Sequence, residues 1–385
     1  MRATRGFLAA MAGLLAVGVA PPVSAPAAVP TPRSAEPVPR TADWSLPAPT
    51  GPNPVGRDVL HLIDRDRPDP WVPSGPRELM VSVWYPAVAG QGRRVPYASA
   101  AESELMLRLT GVLDTTDAPA DALTRVRTHA RSGAPALPTT RRRPLVVLSP
   151  GFGDPRWMQT ALAEDLASRG YVVAGVDHTY EAAAVTFPDG RVAECVVCAS
   201  DVHSPEIAAS RARDISFVLD RLLGGHRYGR LIDHRRIAVV GHSMGGAAAA
   251  TTMLADRRVV AGANLDGTFQ PTLTHDLDRP FLMLGTSPHG ADTVDASWPE
   301  SWPHLTGWRR WLYVPEMNHR SPSDAAVVGE WLGLDMQPMP GPRAVRISRT
   351  YVAAFLDLHL RHRPQPLLSG PSPRFPEVHF LAPGR

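Results

Sequence analysis

Lysine is absent from the 385-residue sequence, cysteine occurs twice, and aromatic residues make up 6%. All 40 basic residues are therefore arginine, a bias that points to GC-rich coding rather than to a function. They are scattered among 37 acidic residues and leave a formal charge of +3. A nucleic-acid binder needs a concentrated basic face, so the composition argues against that class. No His-Glu-x-x-His or similar ligand spacing occurs, and no Gly-rich phosphate loop or dinucleotide fingerprint. Neither a metal nor a nucleotide cofactor is expected. Past the first twenty residues, no charge-free apolar run reaches the roughly 20 residues that cross a bilayer, which predicts no membrane span. Two cysteines, Cys195 and Cys198, cannot complete a four-ligand zinc site, and no thioredoxin-like strand-CxxC-helix pattern surrounds them. A small disulfide and a pair of free thiols are the readings left, and an oxidising compartment favours the disulfide.

What is present begins with an export signal. Arg2 and Arg5 give a positive start, residues 6–20 are apolar, and Ala25-Pro26-Ala27 offers a small-residue cleavage site. Residues 1–27 are thus expected to be a signal peptide and the protein to be secreted, an uncleaved anchor being the alternative. Residues 28–55 are dense in Pro and Ala and read as a linker. Residues 56–385 read as one catalytic domain, and a hydrophobic content of 44% suffices for its core.

Within that domain, residues 78–85 alternate like an early strand. Residues 97–129 show helical spacing around Leu105, Leu107 and Leu109, break at Pro119 and resume, which predicts an inserted helical segment. From residue 145 the chain alternates regularly. Strands are predicted at 145–148, 171–176, 237–240, 259–263, 280–285 and 311–314, and helices at 158–169, 205–223, from Met244 onward and at 348–360. Alternation of this kind implies an α/β fold, a mostly parallel central sheet with helices on both faces.

Gly241-His242-Ser243-Met244-Gly245 is a G-x-S-x-G motif set between the strand 237–240 and the following helix. That context is the nucleophile elbow of an α/β-hydrolase fold, with Ser243 as nucleophile. A serine hydroxyl needs a base and an orienting acid, which follow it in the order acid, then histidine. Asp266, just after the strand 259–263, is preferred over Asp292 and Asp295 as the acid, and His319, after the strand 311–314, is the base. His289 and His304 precede that last strand and read as surface residues. The oxyanion hole is expected from the N–H groups of Met244 and of Phe152, the latter in the loop Ser149-Pro150-Gly151-Phe152-Gly153. Trp298, Trp302, Trp308 and Trp311 admit two readings: an apolar rim in transient contact with a lipid surface, or core packing.

The segments LSPGFG, DHTYEAAAVTFPDG, GHSMGG, NLDGTF and MNHRSPSD resemble, in order and spacing over about residues 75–360, bacterial relatives of plasma platelet-activating factor acetylhydrolase. The resemblance places that family's nucleophile, acid and base on Ser243, Asp266 and His319, and its oxyanion donors on Phe152 and Met244. It implies a calcium-independent ester hydrolase for short or oxidised sn-2 acyl esters of phospholipids or for soluble esters. GHSMGG is shared with secreted lipases and polyester hydrolases that have an open groove, which stand as the alternative.

Overall fold

A computed structural model describes residues 44–381, apart from 203, 226, 291 and the side chain of Pro288. The expected signal peptide and the linker up to residue 43 lie outside the described residues. Residues 44–54, assigned above to the linker, belong to the fold instead. Leu46 is buried, Trp44 stacks on Trp331, and Thr50 bonds through both its N–H and its hydroxyl to Asp165. Their prolines and alanines carry a linker composition, but buried partners from distant segments hold them down.

Strands β1 (Val55–Pro68) and β2 (Pro76–Pro86) form a long antiparallel hairpin. Strand β3 (Arg93–Pro96), helices α1 (Ala100–Leu109) and α2 (Val112–Thr115) and strand β4 (Arg127–Ser132) follow. Ser99 and Glu102 start α1 with reciprocal hydrogen bonds that satisfy two free N–H groups of its first turn. The insertion expected to resume as helix therefore ends as strand β4. There Thr128 and Ala130 are buried between exposed Arg127 and His129, a period of two rather than 3.6.

The regular alternation runs through β5 (Arg143–Ser149), α3 (Thr160–Ser168), β6 (Val172–His178), the small hairpin β7 (Ala184–Thr186) and β8 (Val192–Glu194), and α4 (Ser204–Gly224). It continues through β9 (Ile232–His242), α5 (Met244–Ala255), β10 (Val259–Leu265), β11 (Phe281–Gly285), α6 (Ser297–Ser301) and β12 (Arg309–Tyr313). Helices α7 (Ala325–Trp331) and α8 (Gly341–Arg361) and edge strand β13 (His379–Leu381) complete it.

The main sheet has the order β13-β12-β11-β10-β9-β5-β6-β2-β1-β4-β3. The run from β12 to β6 is parallel, while β2 and β13 flank it antiparallel. Successive side chains of a strand face opposite sides. Leu145 and Val147 pack with Ile215 and Leu219 of α4 and Met253 of α5. Val146 and Leu148 pack on the other side with Leu166 of α3, Val327 of α7 and Phe355 of α8. Burial on both faces is why these strands read as short unbroken apolar runs, and their parallel pairing aligns their C-terminal ends along one edge.

Two of the four clustered tryptophans are core, and the other two are half-buried against it. Trp298 and Trp311 are fully buried and 5.2 Å apart. Trp302 packs on Trp311, and Trp308 packs between Phe355 and His359. The core reading thus holds for Trp298 and Trp311, while Trp302 and Trp308 keep part of their rings exposed.

Candidate active site

The elbow at the end of β9 brings the chain into a turn that a side chain could not follow at its flanks. A Cβ on Gly241 would lie 1.9 Å from the Gly245 carbonyl oxygen, and one on Gly245 would lie 1.9 Å from that of Ser149. Ser243, between them, has φ 54° and ψ −123°, a conformation costly for a non-glycine residue. Bonds from Ser243 N to Leu265 O and from Gly246 N to Ser243 O hold it in place.

Asp266 sits one residue past β10, also at positive φ, 59°. Asn264 fixes the turn by accepting from Gly267 N and donating to Gly267 O, each at 2.7 Å. His319 follows β12, in the strand-end loop two strands further along the chain. The Ser243 Oγ is 2.9 Å from His319 Nε2, and His319 Nδ1 is 2.8 Å from Asp266 Oδ2. Asp266 is fully buried and Ser243 and His319 are not, so the hydroxyl end of this line meets solvent and the carboxylate end does not. Asp292 makes no contact with it, and Asp295 reaches it through another residue.

That residue is His289, read above as a surface side chain. It is 3% exposed, with Nδ1 2.8 Å from Asp266 Oδ1 and Nε2 2.9 Å from Asp295 Oδ2, and its ring stacks on Trp298 at 4.3 Å. It lies four residues past β11, in the same kind of strand-end loop as Asp266 and His319. That position was the available signal, and the order along the chain hid it. Burial disfavours the charged His289, but its bonds to the two carboxylates prevail and raise its pKa. Burial likewise opposes ionisation of Asp266. The bonds from His289, His319 and the Thr286 N–H outweigh it and hold the carboxyl well below the usual range. His304 lies on the surface as expected, facing Asp276.

Met244 follows the serine at the start of α5, and the loop that carries Phe152 packs on the elbow, Gly151 against His242 and Ser149 against Gly245. Among the described residues, neither the Phe152 nor the Met244 backbone N–H finds an acceptor. Met244 opens α5, whose N-terminus favours negative charge. The Phe152 loop is held from behind by buried charge. Arg211 bonds to Pro150 O and Glu181, and Gly153 N donates to Glu181 O. Behind it, Ser149, His178 and Asp214 form a second hydrogen-bonded line, buried and closed to solvent. Asp154 pairs with Arg320, which outweighs burial and brings its carboxyl down to about 2.

A cavity of about 510 Å³ opens beside Phe152 and Arg320. Its walls are mostly apolar: Met106, Leu107 and Val112 from the insertion, Met158, and Val328 and Leu332 from α7 and its end, with Thr110 and the Asp154–Arg320 pair as the polar part. Leu109 and Phe152 are partly exposed at it. Cys195 and Cys198 are joined in a disulfide, and Cys198 lines the same cavity. Among the described residues, no cluster of His, Cys, Asp or Glu could hold a metal, and no helix is long and apolar enough to cross a membrane.

Comparison with known proteins places the chain among esterases. The family described as platelet-activating factor acetylhydrolase, isoform II, matches residues 45–194. A probable 1-alkyl-2-acetylglycerophosphocholine esterase of Arthroderma benhamiae is 29% identical over 88% of this chain and 94% of its own length. Platelet-activating factor acetylhydrolase of Canis lupus familiaris is 30% identical over 38% of this chain and 39% of its own. Among solved structures, a ferulic acid esterase from Streptomyces cinnamoneus is 44% identical with a TM-score of 0.80, covering 89% of this chain and all of that one. The chain belongs to the platelet-activating factor acetylhydrolase-like family of α/β-hydrolases and is a carboxylic ester hydrolase.

Proposed function

We propose that the protein is a secreted serine esterase that cleaves short-chain carboxylic or phospholipid sn-2 acyl esters through an acyl-enzyme. The observation that carries the reading is the continuous line from Ser243 Oγ through His319 to buried Asp266, with links of 2.9 and 2.8 Å. His319 takes the Ser243 proton as the oxygen attacks the ester carbonyl. Asp266 holds the imidazole with Nδ1 protonated and stabilises the imidazolium that forms. The carbonyl oxygen becomes an oxyanion that the unpartnered N–H groups of Phe152 and Met244 receive, each worth about 3 kcal/mol. His319 then gives its proton to the departing alcohol, which leaves the acyl group on Ser243. Water, deprotonated by His319, attacks this ester, and the acid departs as the serine regains its proton.

The apolar cavity beside Phe152 supports a hydrophobic acyl or aryl group rather than a polar one. Walls supplied by the insertion favour a bounded chain over the open groove of a lipase or polyester hydrolase. A second reading, esters of aromatic acids, is favoured by the likeness to the Streptomyces ferulic acid esterase. Secretion is supported by the Arg2/Arg5 start with its apolar run, and the disulfide fits an oxidising compartment. Rates on p-nitrophenyl esters from acetate to palmitate, on methyl ferulate and on a phospholipid with a short sn-2 acyl chain test the assignment. A steep fall beyond short chains supports it. A peak at palmitate moves the enzyme to the lipases, and preference for methyl ferulate selects the aromatic reading.

A further inference from the structure

The acid of the proposed triad is not held by His319 alone. Its four hydrogen bonds are shared evenly, two to each oxygen. Oδ1 accepts from Thr286 N at 2.5 Å and faces His289 Nδ1, while Oδ2 accepts from Thr286 Oγ1 at 2.7 Å and faces His319 Nδ1. The far nitrogen of His289 faces Asp295, whose carboxylate also accepts from Thr268 Oγ1 and Ser297 N. A neutral imidazole has one N–H and would turn a bare lone pair toward one of the two carboxylates. A ring whose two nitrogens both meet ionised carboxylates satisfies every atom when it carries both protons. The stack on Trp298, itself tied to Gly267 O through its indole N–H, places an aromatic face against that charge.

We propose that His289 is a charged positioning residue, an imidazolium clasped between Asp266 and Asp295, which keeps Asp266 ionised and lets His319 act as a base at more acidic pH than Asp266 alone would allow. The inference rests on the roles proposed above for Asp266 and His319. Its sign follows from charge counting. The groups facing His289 are Asp266 after β10, Asp295 and Trp298 at α6, and Tyr313 of β12, whose ring packs at Gly290; His319 lies across Asp266. With His289 charged, its field at His319 opposes that of Asp266. Remove that charge, and two effects act in one direction. The undiluted carboxylate stabilises the His319 imidazolium, and Asp295 and Asp266 repel one another, which favours protonation of Asp266. Both move the loss of activity on acidification to higher pH.

The test is the pH profile of kcat/KM for the wild type, His289→Gln and Asp295→Asn, measured on p-nitrophenyl acetate. The acid limb is expected to move up by about one pH unit in His289→Gln, and by less in Asp295→Asn, where the ring, left with one carboxylate, loses its charge in only part of the molecules. Should His289→Gln fail to fold, Asp295→Asn carries the test, with the ¹⁵N resonances of His289 in the wild type as its partner. Imidazolium shifts at neutral pH support the proposal. A neutral ring, or acid limbs in folded variants that coincide with the wild type, overturns it. An inactive His319→Ala beside an unshifted limb sinks this inference alone. A His319→Ala that still turns over removes the underlying scheme.

Discussion

Arg211 on α4 and Pro150 in the loop after β5 are joined by a hydrogen bond of 2.5 Å from Nη1 to the carbonyl oxygen. The same guanidinium donates from Nε to Glu181 at 2.6 Å, and its side chain is 1% exposed. Occupying that carbonyl anchors the loop that carries Phe152, the residue proposed as second oxyanion donor. Arg211→Met is expected to lower kcat about 100-fold with little change in KM, because a transition-state donor is misaimed. It should also lower stability, by less than the about 3–5 kcal/mol of a fully uncompensated buried charge, because Glu181 keeps Arg77 and the Trp71 N–H. Arg211→Lys restores the charge without the planar fork, so it should recover the melting temperature more than kcat. Steady-state kinetics and thermal melts on the same samples separate the two effects.

Ser243→Ala should reduce kcat by about 10⁵- to 10⁶-fold, the loss expected when a nucleophile that acts as a unit with its base is removed. Its melting temperature should not fall, since the strained residue at φ 54° loses a hydroxyl and no packing. Labelling by a fluorophosphonate, present in the wild type and absent in the variant, gives an independent check. Labelling at another serine would redirect the search.

Two buried carboxyls make stability depend on pH in the opposite sense to the site aspartates. Burial raises the pKa of Asp324 well above its ordinary value, against bonds from Ala161 N and Tyr97, and raises that of Glu164. Their contribution is full below the carboxyl pKa of the unfolded chain and is lost as pH rises through the folded value. Asp154, Asp214 and Asp266, held low, contribute above the unfolded pKa and lose it as pH falls through their folded values. Melting temperature should therefore be highest in mildly acidic buffer. Asp324→Asn should flatten the decline toward alkaline pH. An unchanged slope would exclude Asp324 as its source.

The Cys195–Cys198 disulfide closes a short loop, for which chain entropy predicts about 2 kcal/mol of stabilisation. Urea unfolding of the Cys195→Ser, Cys198→Ser double variant should show a loss of that size. Because Cys198 lines the apolar cavity, KM for longer acyl chains should change more than KM for acetate.

Much of the fold was legible because its signals are local. The runs at 145–148 and 237–240 are apolar throughout, as strands covered on both faces must be. The β4 segment was not legible: its six residues carry two buried side chains, and the strand forms only because β3 and β1 lie beside it. The first half of β1 is half-exposed with weak alternation, and its pairing with β2 supplies the missing hydrophobic argument. The tryptophans were ambiguous for a related reason. Spacing alone does not say whether a ring meets solvent or, as Trp298 does, a buried imidazole.

By itself the sequence determined the elbow. Glycines at 241 and 245 around Ser243, between a strand and a helix, permit little else, since the clash of a Cβ with backbone is a local fact. It also supplied an acid and a histidine in strand-end loops in the required order. Tertiary structure decided which other groups meet them. His289 reaches Asp266 across 23 residues, and Arg211 reaches Pro150 across 61. Such contacts depend on the stacking of whole strands and helices, and the charge a buried side chain carries depends on the partners that stacking delivers.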